Sequence, residues 1–294
     1  MKFLPAFTCL LFVFLNRQIY SNNDTLRLQQ HADSSFRVGD FFEASVYYQK
    51  LDFFLIGEHG KNQAKLAAAN ANKILKQYDK AISILNAINL NDVHDSLIFE
   101  VKYQCALLNY LKNDFLQVEV YLNQLNYLVS DSNYTTKSLI LQALNLNEQY
   151  KWEAAKEKLL ILNSRLYKND SMVFSKKRTE LDSMYATKQL PKLKNMNKAI
   201  KMSSLIPGLG QCYTKNYGEG IASFVSVASS VGIMAAGIVF QFYFTGIATG
   251  NMLLGKFYLG GIKRAEFLAE KYNYMIAKSF NQALKLKIKQ HFIP

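Results

Sequence analysis

Few side chains in this chain are placed to make or break bonds. The four histidines, His31, His59, His94 and His291, share no metal-ligand spacing, and no Cys-x-x-Cys occurs. No paired carboxylates and no nucleophile–base constellation stand out to supply a reacting centre. Cys105, beside Ala106, reads as a small buried apolar side chain, and Cys212 lies too far along the chain to build a disulfide framework with it. Catalysis, a metal, a cofactor and a small-molecule substrate are therefore not expected. One local cluster has a distinct chemistry: Pro207-Gly208-Leu209-Gly210-Gln211-Cys212-Tyr213. It is not a nucleotide loop, because a third glycine is missing and no strand precedes it. Pro207 and the two glycines allow a sharp reversal of the chain. Gln211 and Tyr213 are then expected to satisfy backbone groups that the break exposes.

The elements that must position such residues repeat with a period of 37. Aromatics stand at Phe41, Tyr78, Phe115 and Trp152. Further columns are Ala44, Ala81, Val118 and Ala155; Tyr48, Leu85, Leu122 and Leu159; Leu51, Ile88, Leu125 and Leu162; and Ala32, Ala69, Ala106 and Ala143. A period between about 20 and 50 residues marks stacked supersecondary units, which bind rather than catalyse. The aromatic opens a second helix, the small residue three positions on lets paired helices approach, and the aliphatics seal the stack. The run from Gly39-Asp40-Phe41 to Leu51 resembles the second half of a tetratricopeptide repeat. That family's repeat is about 34 residues, so the extra three are assigned to polar connections, where insertion costs little. No copy has the usual closing proline.

The resemblance implies a helical solenoid over residues 22–168, in four units, whose first helices line a concave groove for a protein or peptide ligand. Carried over by position, the groove-facing side chains are Asp33, Asn70, Lys73, Tyr103, Tyr110 and Asn147. The two tyrosines are the expected anchors, since an aromatic with a polar tip favours binding hot spots. Residues 169–201 read as a capping helix over Ser171–Lys188, followed by a basic amphipathic segment that begins at Pro191.

Charge is unevenly spread. From Gln189 onward, 13 Lys and Arg face three Glu, which carries most of the chain's formal +13. Membrane lipid is the expected anionic partner, and nucleic acid is not, because the same segment carries long apolar runs. Lys2 followed by the apolar run Phe3–Leu15 reads as a secretory signal over residues 1–21, with a mature start near Asn22. From Gly220 to Gly255 no residue is charged. One span needs about 20 residues, so two short spans are placed near Gly220–Val239 and Gln241–Gly260, with a turn at Phe240–Phe242. Gly232, Gly237, Gly246, Gly250 and Gly255 are expected to let them pack backbone to backbone.

Residues 202–275 form the expected membrane module, and from about Ser203 to Asn273 it resembles a bacterial membrane domain of unknown function whose signature is Pro-Gly-x-Gly-Gln-x-Tyr with a later glycine. Pro207, Gly208, Gly210, Gln211, Tyr213 and Gly220 match it, and Gly260 and Asn273 fit its ending. Lys215 replaces a usual glycine and Gly261 a usual asparagine. The resemblance implies a cell-envelope location beside tetratricopeptide repeats. The expected architecture is all-α: a tetratricopeptide-like solenoid, a transmembrane helical hairpin and a basic tail over residues 276–294. The expected function is a non-enzymatic scaffold or adaptor. The alternative is an assembly or insertion factor acting through the glycine-rich hairpin. Export and two spans would leave the basic flanks outside, against the positive-inside preference.

Overall fold

A computed structural model describes residues 21–91 and 93–292, and among these every regular element is an α-helix. The expected signal segment lies outside the described residues except for Ser21. The chain divides into two compact units, one ending at Arg178 and one beginning at Thr179. The division falls inside the capping helix, ten residues beyond the expected end of the repeats.

In the first unit eight helices alternate: α1 Ser21–Val38, α2 Phe41–Phe54, α3 Glu58–Ile74, α4 Tyr78–Asn86, α5 Asp95–Leu111, α6 Phe115–Leu128, α7 Ser132–Glu148 and α8 Trp152–Leu166. The four aromatics of the repeat are the first residues of α2, α4, α6 and α8. Each helix packs on the next, and α5 also meets α7. The four small and aliphatic columns are buried without exception, from Ala32 through Leu162. The aromatic column is only half-buried in three copies, and Trp152 alone is fully covered.

The turns between paired helices repeat as closely as the core. Gly39, Lys76, Asn113 and Tyr150 all have positive φ, between 59° and 89°. The amides of Asp40, Gln77, Asp114 and Lys151, one residue later, each reach back 2.9 Å to a carbonyl five residues earlier. A left-handed residue with this six-to-one bond is the Schellman ending of a helix. It satisfies carbonyls that the helix end would leave open. Asp40 and Asp114 also cap the following helix, accepting from Glu43 and Gln117.

The helix α9, Ser171–Met184, begins at the expected cap but stops four residues early. In the second unit, residues 191–195 are not helical. The expected amphipathic helix therefore begins five residues later than Pro191, as α10 Met196–Leu205. The reason is a long-range contact: both backbone groups of Lys194 bond the side chain of Asn273, at 2.6 and 2.8 Å, instead of a helical partner. A short α11, Leu209–Tyr213, leads into α12, Tyr217–Val239, and the turn at Phe240–Phe242 lies where expected. The final helix α13 runs unbroken from Tyr243 to Phe292, so no helix end separates the module from its basic tail.

Of the described helices, α12 alone is long and apolar enough to cross a membrane. The second expected span is the first third of α13. Asn251 and Lys256 lower its apolar character. The two helices pack closely where Gly237 faces Gly246, since a Cβ on either would strike the other's backbone, and where Gly250 meets Met234 and the Ser230 carbonyl. Gly232 and Gly255 play no part in this contact; nothing lies within 4 Å of a Cβ built on either.

Candidate functional site

The six groove residues fall into different environments. Asn70 and Lys73, one turn apart on α3, line a cavity of about 350 Å³ between α3 and α5. Its floor is apolar, with Leu66, Leu85 and Leu108. Its polar edge includes Glu100 and Gln104 of α5, neither of which the repeat columns had marked. The Lys73 ammonium donates to Gln104 Oε1 at 3.1 Å, and Gln104 Nε2 donates to Glu100 Oε1 at 2.9 Å. A cation, an amide and a carboxylate thus stand in series above an apolar floor, a combination that suits a peptide's polar backbone and one apolar side chain.

The expected tyrosine anchors are placed differently. Tyr110 is buried in a cluster with Ala106, Val118, Leu122 and Leu141, and its hydroxyl lies 3.3 Å from Glu148. Burial, with the adjoining carboxylate, holds its phenol well above the ordinary range. Tyr103 is half-buried and stacks on Phe99, with ring centroids 5.2 Å apart. Burial and then Glu100 push its phenol up. Asn147 is buried. Asp33 accepts a 2.7 Å bond from the Tyr48 hydroxyl. Of the six, Asn70 and Lys73 share this cavity. Lys73 and Tyr110 occupy one repeat column, yet the first edges an opening and the second fills a core.

In the second unit the signature residues converge more tightly. The Gly208 φ is +91°, and a Cβ there would strike the Gly220 carbonyl oxygen. A Cβ on Gly210 would collide with the Ala199 carbonyl and with Ser203 and Ala265, and one on Gly220 would lie 2.5 Å from Cys212 Sγ. Backbone of α11 is thereby seated against both α10 and the start of α12. Gln211, almost fully buried, locks the assembly: its Oε1 accepts from Ser203 Oγ at 2.8 Å, and its Nε2 donates to the Gly261 carbonyl at 2.9 Å. Ser203 Oγ also accepts from the Gly210 amide at 3.0 Å. This corrects the expectation for Gln211: the backbone group it satisfies belongs to α13, fifty residues away, while Ser203 serves the break itself.

Tyr213 likewise accepts from the Asn195 amide at 3.2 Å, ahead of α10, and its ring lies 4.4 Å beneath the Lys194 ammonium. Tyr258 donates to the Ser204 carbonyl at 2.8 Å, and Arg264 grips Glu219 through two bonds of 2.6 and 2.9 Å. Pro207 directly precedes the left-handed Gly208. Gly260 has open space where a Cβ would stand; the neighbouring Gly261 is the one in contact, 2.6 Å from Ser223 Oγ if given a Cβ. Lys215 has φ 67°, which explains why glycine suits that position, and the Asn216 amide closes another six-to-one bond to Gln211. Gly261, Ser203 and the Glu219–Arg264 pair were missed because their partners lie 8 to 50 residues away, with no spacing rule to join them.

No protein-family model matches this chain, and neither the curated proteins nor the solved structures show a match. What the fold and its sites define, among the described residues, is an all-helical architecture with one helix long and apolar enough to span a membrane.

Proposed function

We propose that this chain is a non-enzymatic, membrane-attached scaffold of a cell envelope. Its first unit is a tetratricopeptide-like solenoid that holds a protein or peptide, and its second is a helical hairpin that holds the solenoid at a lipid bilayer. The observation that carries the reading is α12: its 18-residue apolar window has a mean hydropathy of 1.9, yet only 17% of that window is buried. A core helix of a soluble domain would hide such a surface, and an exposed apolar patch of this size calls for a covering partner. The nearest-neighbour packing of α1 to α8 supports the solenoid, and the cavity edged by Asn70, Lys73, Glu100 and Gln104 is its binding surface. The alternative, a hairpin that itself acts on a partner membrane protein, is less favoured, because Gly237, Gly246 and Gly250 are already occupied by contacts between α12 and α13.

The test is crosslinking in intact cells, followed by pull-down of the full chain and of an Asn70→Ala/Lys73→Ala variant. These side chains edge the cavity rather than fill the core, so the variant should fold. A partner captured by the unaltered chain and lost by the variant is expected. Equal capture by both would sink the groove reading.

A further inference from the structure

We propose that the α12–α13 pair enters an anionic bilayer tip-first from one side and does not emerge on the other. This rests on the membrane attachment proposed above and assigns its depth, its sidedness and the lipid chemistry at its base.

The tip is apolar and open. Val239, Phe240, Phe242, Tyr243 and Phe244 at the turn are between 55% and 88% exposed, and Gln241 is their one uncharged polar companion. A loop that emerges into water is ordinarily polar or charged, and interfacial belts are built from Trp and Tyr. Here three of the five are Phe, which prefers hydrocarbon.

The length of the apolar surface agrees. On α13 the first charge after the tip is Lys256. At a rise of 1.5 Å per residue it stands about 20 Å from Phe242, whereas the hydrocarbon core is about 30 Å thick. A lysine reaches back several ångströms to the headgroups it came from. That brings the tip at most to the far interface, where lipid carbonyls can meet Gln241 and the open amides of the first turn of α13.

The base is built differently. Beside the pair, Leu205 is 82% exposed and Ile206 50%. The Tyr258 bond to the Ser204 carbonyl fixes this apolar shoulder at the level of residue 258 of α13, close to Lys256. Just beyond the shoulder stand exposed Lys201, Lys215 and Lys263, while Arg264 is paired with Glu219. An apolar shoulder under a ring of lysines matches the boundary of one leaflet with anionic headgroups. No such boundary exists at the tip.

The experiment uses the full chain with Cys9→Ala and Cys212→Ala, added to preformed vesicles of phosphatidylcholine and phosphatidylglycerol. A new cysteine is placed at the tip (Phe240→Cys, and separately Phe244→Cys in case the first misfolds) or beyond the base (Met275→Cys). Membrane-impermeant maleimide-polyethylene glycol is supplied outside the vesicles or enclosed within them. The base cysteine should label from outside, and the tip cysteine from neither side until detergent dissolves the bilayer. Tip labelling by enclosed reagent would overturn one-sided insertion while leaving membrane attachment intact. Tip labelling from outside at the rate of the base, by a chain that fails to float with the vesicles, would overturn both.

Discussion

Both units place left-handed residues at helix boundaries, closing the first helix of each repeat pair and opening α11 in the second unit, under opposite constraints. In the repeats the position is held by Gly39, Lys76, Asn113 and Tyr150, four chemically unrelated residues with the same turn and the same six-to-one bond. The four residues are exposed and share little beyond the backbone angle. In the second unit Gly208 has nearly the φ of Gly39, 91° against 89°, but the Gly220 backbone fills the space a side chain would need. Redundancy is thus built into the repeat turns, where a period supplies stability through its buried columns. The module has no period, and its geometry rests on single contacts.

That contrast can be probed most sharply through Cys105 and Cys212. Cys105 lies wholly within the repeat core, where burial pushes its thiol up to about 12. At pH 8 its thiolate fraction is then only about 10⁻⁴. In a Cys9→Ala background, maleimide should modify half-buried Cys212 in the folded protein and Cys105 only on unfolding. Because the raised value keeps the thiol protonated, moving the pH from 7 to 9 should leave Cys105 still largely unlabelled. Rapid labelling of Cys105 would show that the repeat core opens.

Next in size is a matched pair. Gly39→Ala carries the left-handed penalty of about 1–2 kcal/mol and meets nothing else. Gly208→Ala carries the same penalty plus overpacking of about 1–3 kcal/mol. Denaturant titration in detergent reads both, and equal losses would erase the distinction between the units. Asn273→Ala removes both side-chain bonds to Lys194, for a loss of about 1–3 kcal/mol in the module. An unchanged midpoint would mean residues 191–195 are held by other contacts. The smallest effect has the opposite sign: Lys76→Gly and Lys215→Gly should each change stability by less than about 1 kcal/mol and in the same direction, because relief of the left-handed residue is partly offset by glycine's chain entropy. A gain in one unit and a loss in the other would mean that one lysine side chain has a role beyond the turn.

Much of the repeat unit was legible in the sequence. The aromatics mark the first residue of each second helix, and the remaining four columns are the buried core. A period reveals which face turns inward, because every copy meets the same neighbour. It does not reveal how a given copy fills the space between repeats, which is why Lys73 and Tyr110 share a column and not an environment. The turn at Phe240–Phe242 was legible as the middle of a charge-free run too long for one helix. The partners of Gln211 and Asn273 were not, since bonds across 50 and 79 residues leave no local pattern. Nor was the unbroken α13, whose amphipathic continuation past Gly260 carries no proline or cap to stop it.

Membrane attachment is tested most directly by alkaline extraction of membranes from cells that make the full chain, beside a Phe240→Asp/Phe244→Asp variant. Insertion of the α12–α13 pair predicts that the unaltered chain stays with the membrane pellet and that the variant is released. Release of the unaltered chain, or equal retention of both, would contradict it.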